Sequence, residues 1–169
     1  MIPDWALLIS FWLHMLATAV WLGSLAALAL FVLPSLRRRL PAAEYAAWLQ
    51  ALNTRLDPLG WFSLGLLTFT GLMQMTPNPN YDGFLSISNP WAVAMLAKHL
   101  VFFAMIGVSA YLTWKVSPAL GRAALRRARS KGDPDAGDLA LLAQFQRLVT
   151  ANLLLGLLVL VFTAWARVS

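Results

Sequence analysis

The chain contains no cysteine, which excludes a disulfide framework, a cysteine-ligated zinc site, an iron–sulfur cluster and thiol catalysis. Charge is also scarce: 12% of the 169 residues are Asp, Glu, Lys or Arg, against about a quarter in soluble domains. That excludes a water-soluble globule, a disordered chain and a nucleic-acid-binding domain. There is no Walker loop, no dinucleotide fingerprint and no Ser-His-Asp arrangement, and histidine occurs only at His14 and His99. Hydrophobic residues supply 60% of the chain and tryptophan occurs 8 times. This is the composition of an integral membrane protein, with residues 1–169 forming a single domain.

Four stretches approach or exceed the roughly 20 apolar residues that cross a hydrocarbon core. The first runs from about Trp5 to Leu33 and is closed by Pro34. The second runs from about Leu59 to Met75, opened by Pro58 and stopped by Thr76-Pro77-Asn78-Pro79. The third lies between Trp91 and Trp114, and the fourth runs from about Leu148 to Trp165. The runs are too long for strands and lack alternation, so they are helices. The expected fold is all-α, an up-down four-helix membrane bundle. The first span reads as retained rather than as a cleaved signal peptide. Met1-Ile2-Pro3-Asp4 lacks a positive n-region, and the apolar run is about twice a normal h-region.

Positive charge orients the bundle. The connection after the first span carries Arg37, Arg38, Arg39 and Arg55. The connection after the third carries Lys115, Arg122, Arg126, Arg127, Arg129, Lys131 and Arg147. No Lys or Arg precedes the first span or joins the second to the third, and Arg167 alone dissents. The positive-inside rule puts both basic connections in the cytoplasm and both termini in the periplasm of a bacterial inner membrane. Pro41 to Leu56 reads as a short interfacial cytoplasmic helix, with Tyr45, Trp48, Leu49, Leu52 and Leu56 in one apolar stripe. The second basic connection, with Asp133, Asp135 and Asp138, reads as a solvated loop drawn to anionic headgroups.

An ionisable residue inside a span marks function by default. Three lie well inside: His14, Lys98 and His99. His14 is nine residues past Trp5, and His99 is eight past Trp91. At about 1.5 Å per residue both imidazoles lie about 12–14 Å below the outer interface. The first and third spans run the same way and face each other diagonally. Two level imidazoles suit the axial positions of a b-type haem. Ser10, Ala17 and Thr18 leave room beside His14, and Trp21 lies one heptad below it. Met95, Phe103 and Gly107 share the His99 face. Lys98 points about 100° from His99 and reaches outward, towards a propionate or the headgroups. The plain alternative is that each ring hydrogen-bonds a polar neighbour such as Thr68, Thr70, Gln74 or Asn152. A second alternative is copper: Met15, Met73, Met75 and Met95 fall in the outer half, and thioethers with imidazole select Cu(I).

Trp12-Leu13-His14-Met15-Leu16-Ala17 with Val20-Trp21-Leu22-Gly23-Ser24 resembles the first helix of the CopD/PcoD copper-resistance membrane domain. The stretch from Arg55 through Phe62-Ser63 to Thr70-Gly71 is similar to that family's second helix, and Ala97-Lys98 to the start of its third. The resemblance implies copper binding or import. More distantly, the pattern resembles HemJ-type protoporphyrinogen oxidases, which implies haem-binding roles for His14 and Lys98 and oxidation of a porphyrin-like substrate. The residues themselves lead to an electron carrier, with haem held by His14 and His99 and lined by Lys98, Trp21, Met95 and Phe103. It would exchange electrons with quinol or with other membrane subunits. Copper import, haem-dependent oxidation and a cofactor-free assembly subunit are the alternatives.

Overall fold

The computed structural model describes residues 2–130 and 136–169, which are almost wholly helical, with no strand among them. The first helix runs unbroken over Asp4–Arg39. The second spans Ala42–Met75. The third is α-helical over Pro90–Tyr111, widens to a π-helical turn over Leu112–Val116, and resumes over Ser117–Ser130. The fourth spans Ala136–Val168. Of the second basic connection, Lys131, Asp133 and Asp135 lie outside the described residues.

Pro34 and Pro58, expected to bound helices, sit inside them, as does Pro118. A proline ring clashes with the carbonyl four residues back and offers no N–H. At Pro34 the clash is met by a π-helical turn over Ala27–Val32 just before it. Pro118 follows the Leu112–Val116 turn in the same way. These wider turns move the preceding carbonyl away from the ring, so the helix continues. Pro58 lies within the second helix; the carbonyl it cannot serve belongs to Thr54, an exposed residue. The third helix begins at Pro90, where the Asn89 side chain accepts from the Ala92 N–H at 2.8 Å. This is a proline at the first helical position behind a capping asparagine.

The expected interfacial helix over Pro41–Leu56 is therefore corrected: it is the first half of the second helix, and of its apolar stripe Tyr45 and Leu49 are buried, Leu52 and Leu56 are half-buried and Trp48 stands exposed. Tyr45, Ala46 and Leu49 are buried in one cluster with Leu112, Val116, Leu120, Leu142, Phe145 and Val149. Burying that stripe against two neighbouring helices removes more apolar surface from water than lying flat on headgroups. Gln146 Nε2 donates to Tyr45 Oη at 2.8 Å, and Arg37 donates to Gln146 Oε1 at 3.3 Å, tying three helices together at the Arg-rich end.

Among the described residues three helices are long and apolar enough to cross a membrane: Asp4–Arg39, Pro90–Arg126 and Ala136–Val168. The second is less apolar because its polar side chains turn towards the first. Ser10 Oγ donates to the Thr70 carbonyl at 3.3 Å, and Gln74 Nε2 donates to the Ser10 carbonyl at 3.0 Å. Polar bonds of this kind hold helices together where lipid offers no hydrophobic drive. Large apolar side chains, among them Leu8, Phe11, Phe31, Phe69, Leu100 and Leu154, stand on the outside of the bundle. So much exposed apolar surface fits a lipid bilayer around the protein. The first helix packs chiefly on the second and the third on the fourth. The buried core is densest at the Arg-rich end, and the half nearer the termini is open.

Candidate functional site

That open half holds a cavity of about 490 Å³ enclosed by all four helices and Phe84 of the connection after the second. All six residues expected to surround a cofactor line it: His14 and Trp21 from the first helix, and Met95, Lys98, His99 and Phe103 from the third. Gly107, expected on the same face, does not line it. Of the two directions expected for Lys98, towards a cofactor or out to the headgroups, the first is the one found: it lines the cavity with His99, within electrostatic reach of both imidazoles. The outer methionines divide. Met15 and Met95 line the cavity, together with Met105, whereas Met75 is buried against Trp91 and Ala92 and Met73 is not on the cavity wall.

The rings are held by their Nδ1 atoms. His14 Nδ1 lies 2.7 Å from Thr70 Oγ1, and the Thr70 hydroxyl donates its one proton to the Leu66 carbonyl at 2.6 Å. Thr70 therefore accepts from His14, and the neutral ring carries its proton on Nδ1. His99 Nδ1 lies 2.6 Å from the Met95 carbonyl, which can only accept. In both neutral rings Nε2 is thus the lone-pair nitrogen, and neither Nε2 has a hydrogen-bond partner among the described residues. Metal-ligating histidines are oriented in this way, one nitrogen donating to an oxygen and the other left for the metal.

Two glycines make the space. A Cβ at Gly71 would stand 3.5 Å from His14 Cε1, so the ring lies directly on the second helix. A Cβ at Gly156 would stand 2.6 Å from Leu22 Cδ1 and 3.5 Å from Met105 Cε, which shows how closely the fourth helix approaches the first. The cavity reaches the lipid-facing surface at Met15 and Phe103, both more than half exposed.

Sequence reasoning missed Phe84. Its ring meets the His99 ring edge-on, with centroids 4.8 Å apart. Gly83, at φ 126°, makes the turn that brings it there, a backbone conformation that side chains disfavour. The available signal was a Gly-Phe pair within an otherwise polar stretch. Thr70 is one of the polar neighbours that the plain alternative expects a histidine to bond, and that bond is present at His14; it also orients the ring.

Among the described residues no three His, Asp or Glu side chains come together. The cavity wall carries two imidazoles and three thioethers, beside Lys98 and the hydroxyls of Thr18, Thr68 and Thr163, which donate to their own helix carbonyls; the nitrogen and sulfur donors are soft and suit Cu(I) better than a hard cation. No curated protein and no solved structure matches the chain. The family model for copper resistance protein D matches residues 50–166, a segment that includes Thr70, Lys98 and His99 and begins after His14. By that match the chain belongs to the CopD family.

Proposed function

We propose that the protein binds Cu(I) in the membrane at this cavity and carries it inward. His14 and His99 supply nitrogen ligands, and Met15, Met95 and Met105 are the nearby thioether donors. The supporting observation is the pair of Nδ1 bonds, to Thr70 Oγ1 and to the Met95 carbonyl, which leave a basic Nε2 on each of two rings lining one cavity. Lys98 belongs to the same reading. A cation beside an ammonium group is held less tightly, which favours onward transfer over storage.

In this reading the bundle has four spans, the second from about Leu59 to Met75. Both Arg-rich connections face the cytoplasm and both termini the periplasm, as the positive-inside rule requires. Copper enters from the periplasmic side, where the histidine cavity lies. The test is uptake of Cu(I) into sealed vesicles carrying the protein in this orientation, with elemental analysis of the purified protein. Copper present, and uptake lost in a His14→Ala/His99→Ala variant, supports the reading. Absence of copper together with unchanged uptake in that variant overturns it.

Family membership favours copper over the haem carrier expected from the histidines alone. One observation keeps haem as a second reading. A cavity of about 490 Å³ is larger than a bare ion needs and falls within the 300–1,000 Å³ of small-molecule sites. Phe84, Phe102 and Phe103 on its wall would meet a flat ligand. His14 and His99 would hold such a haem, which would supply one-electron chemistry when bound. An absorption spectrum decides: a six-coordinate haem band and iron without copper would favour this reading.

A further inference from the structure

A second, smaller cavity of about 80 Å³ lies deeper in the bundle, towards the Arg-rich end. Its walls differ from those of the histidine cavity. Asn53, Asp57, Ser63, Ser109, Thr113 and Asn152 all line it, and two of these carry polar atoms that the protein does not satisfy. Asn152 is 1% exposed and donates from Nδ2 to Ser109 Oγ at 2.9 Å, while its Oδ1 has no partner. Asn53 Nδ2 is likewise buried without a partner. A buried polar atom left unpaired costs about 1–3 kcal/mol, so a donor and an acceptor both left open on one small cavity point to something polar between them. At about 30 Å³ per water the space holds two or three.

Trp21 lines both cavities and is almost fully buried, packed with Leu64 of the smaller cavity's wall and with Leu67 and Met105 of the larger one's. Its Nε1 lies beside Gly60, where a Cβ would be 3.8 Å away; Gly60 is on the wall of the smaller cavity.

We propose that the smaller cavity is a hydrated chamber reached from the Arg-rich half, where the part-exposed Asp57 and the exposed Leu59 stand on its wall, and that the Trp21 indole, within that packed layer, is the septum closing it from the histidine cavity. Water and small hydrated cations are its occupants, since amide, hydroxyl and carboxylate oxygens on its wall serve both, and the open Asn53 N–H serves water. That the chamber is the exit compartment of a copper route rests on the reading above; its hydration and its septum do not.

The absence of native cysteine makes the test direct. Ser63→Cys places one thiol in the chamber and Thr18→Cys one in the histidine cavity. Both are made in a His14→Ala/His99→Ala background, so that capture of a soft ion by the imidazoles plays no part. Silver ion, a small cation that reacts with thiols, is added to one side of sealed vesicles, and the thiol left over is titrated after denaturation. Silver on the Arg-rich side should consume most of the Ser63→Cys thiol and spare Thr18→Cys; silver on the other side should do the reverse. Trp21→Ala should open Ser63→Cys to silver from both sides. A Ser63→Cys thiol that silver reaches from neither side means a dry chamber, and one reached from both sides with Trp21 intact means no septum. Either result overturns the proposal, and neither needs the Trp21 variant to fold. Loss of copper uptake alone, with this labelling pattern preserved, would sink the transport reading and leave the chamber standing.

Discussion

Thr70 Oγ1 accepts the Nδ1 proton of His14 at 2.7 Å while giving its own proton to the Leu66 carbonyl at 2.6 Å. A hydroxyl so placed fixes both the tautomer and the plane of the ring. Loss of such an outer partner typically lowers metal affinity 10–100-fold. Thr70→Val, which keeps the shape and removes the acceptor, should weaken Cu(I) binding by about that factor. Thr70→Ser should restore most of it. Competition against a Cu(I) chelator of known affinity measures both, and equal affinities in all three proteins would show that the bond does not orient a ligand.

Lys98 separates the two cofactor readings. At an effective dielectric of about 20, a unit charge several Å away is worth roughly 1–2 kcal/mol, or about tenfold in affinity. Lys98→Leu removes an ammonium group close to both rings without adding a donor, and should tighten Cu(I) binding by about that amount. If the cavity holds haem and Lys98 meets a propionate, the same change should loosen the cofactor. Copper titration and haem retention, measured side by side on Lys98→Leu, give opposite signs for the two cases.

Gly156 controls the room available. Even a methyl group there would crowd Leu22 Cδ1 at 2.6 Å, and Leu22 lines the cavity. Gly156→Ala should push the flexible end of Leu22 aside and leave copper binding within a few-fold of the parent. Gly156→Leu should occupy the cavity and lower uptake at least tenfold. Overpacking of this kind also costs about 1–3 kcal/mol, so thermal unfolding in detergent should be followed alongside. Unchanged uptake in a folded Gly156→Leu protein would place the copper path elsewhere.

The Arg-rich end offers a test by pH. Burial pushes the Tyr45 phenol above its ordinary value of 10.0, although the bond from Gln146 and the nearby Arg37 pull it down. A folded-state value above the unfolded one means the folded chain holds its proton longer. That contribution is complete below pH 10.0 and is lost as pH rises through the raised value. Tyr45→Phe removes a hydrogen bond worth about 0.5–1.5 kcal/mol near neutral pH and also removes the alkaline limb. The parent should therefore be the more stable near neutrality, and its advantage should shrink as the solution becomes strongly alkaline. Parallel curves would show that Tyr45 is not buried, and with it that the first half of the second helix lies out on the membrane surface.

Much of this arrangement could be read from the residues in order. Apolar runs gave the helices, and counting from Trp5 and Trp91 put His14 and His99 at one depth; they line one cavity. Proline was the poorest guide. Pro34 follows a widened turn and Pro58 sits within the second helix, four residues after the exposed Thr54, so neither bounds its helix. The stripe of Tyr45, Leu49 and Leu52 carried the right period for an amphipathic helix, but a period cannot say whether the apolar face meets lipid or protein. Phe84 and the polar atoms around Asn152 were out of reach for another reason: they become neighbours of the site only when distant segments pack. Met73 and Met75 counted as outer-half donors along the chain, yet neither lines the cavity.

The decisive measurement is a Cu(I) titration of the purified protein beside its His14→Ala and His99→Ala variants, with helix content checked by circular dichroism. Two soft nitrogen ligands on one ion predict about one tightly bound copper per parent chain and at least a tenfold loss of affinity in each single variant. Full copper binding in both variants, with their helix content intact, would contradict a site shared by the two imidazoles.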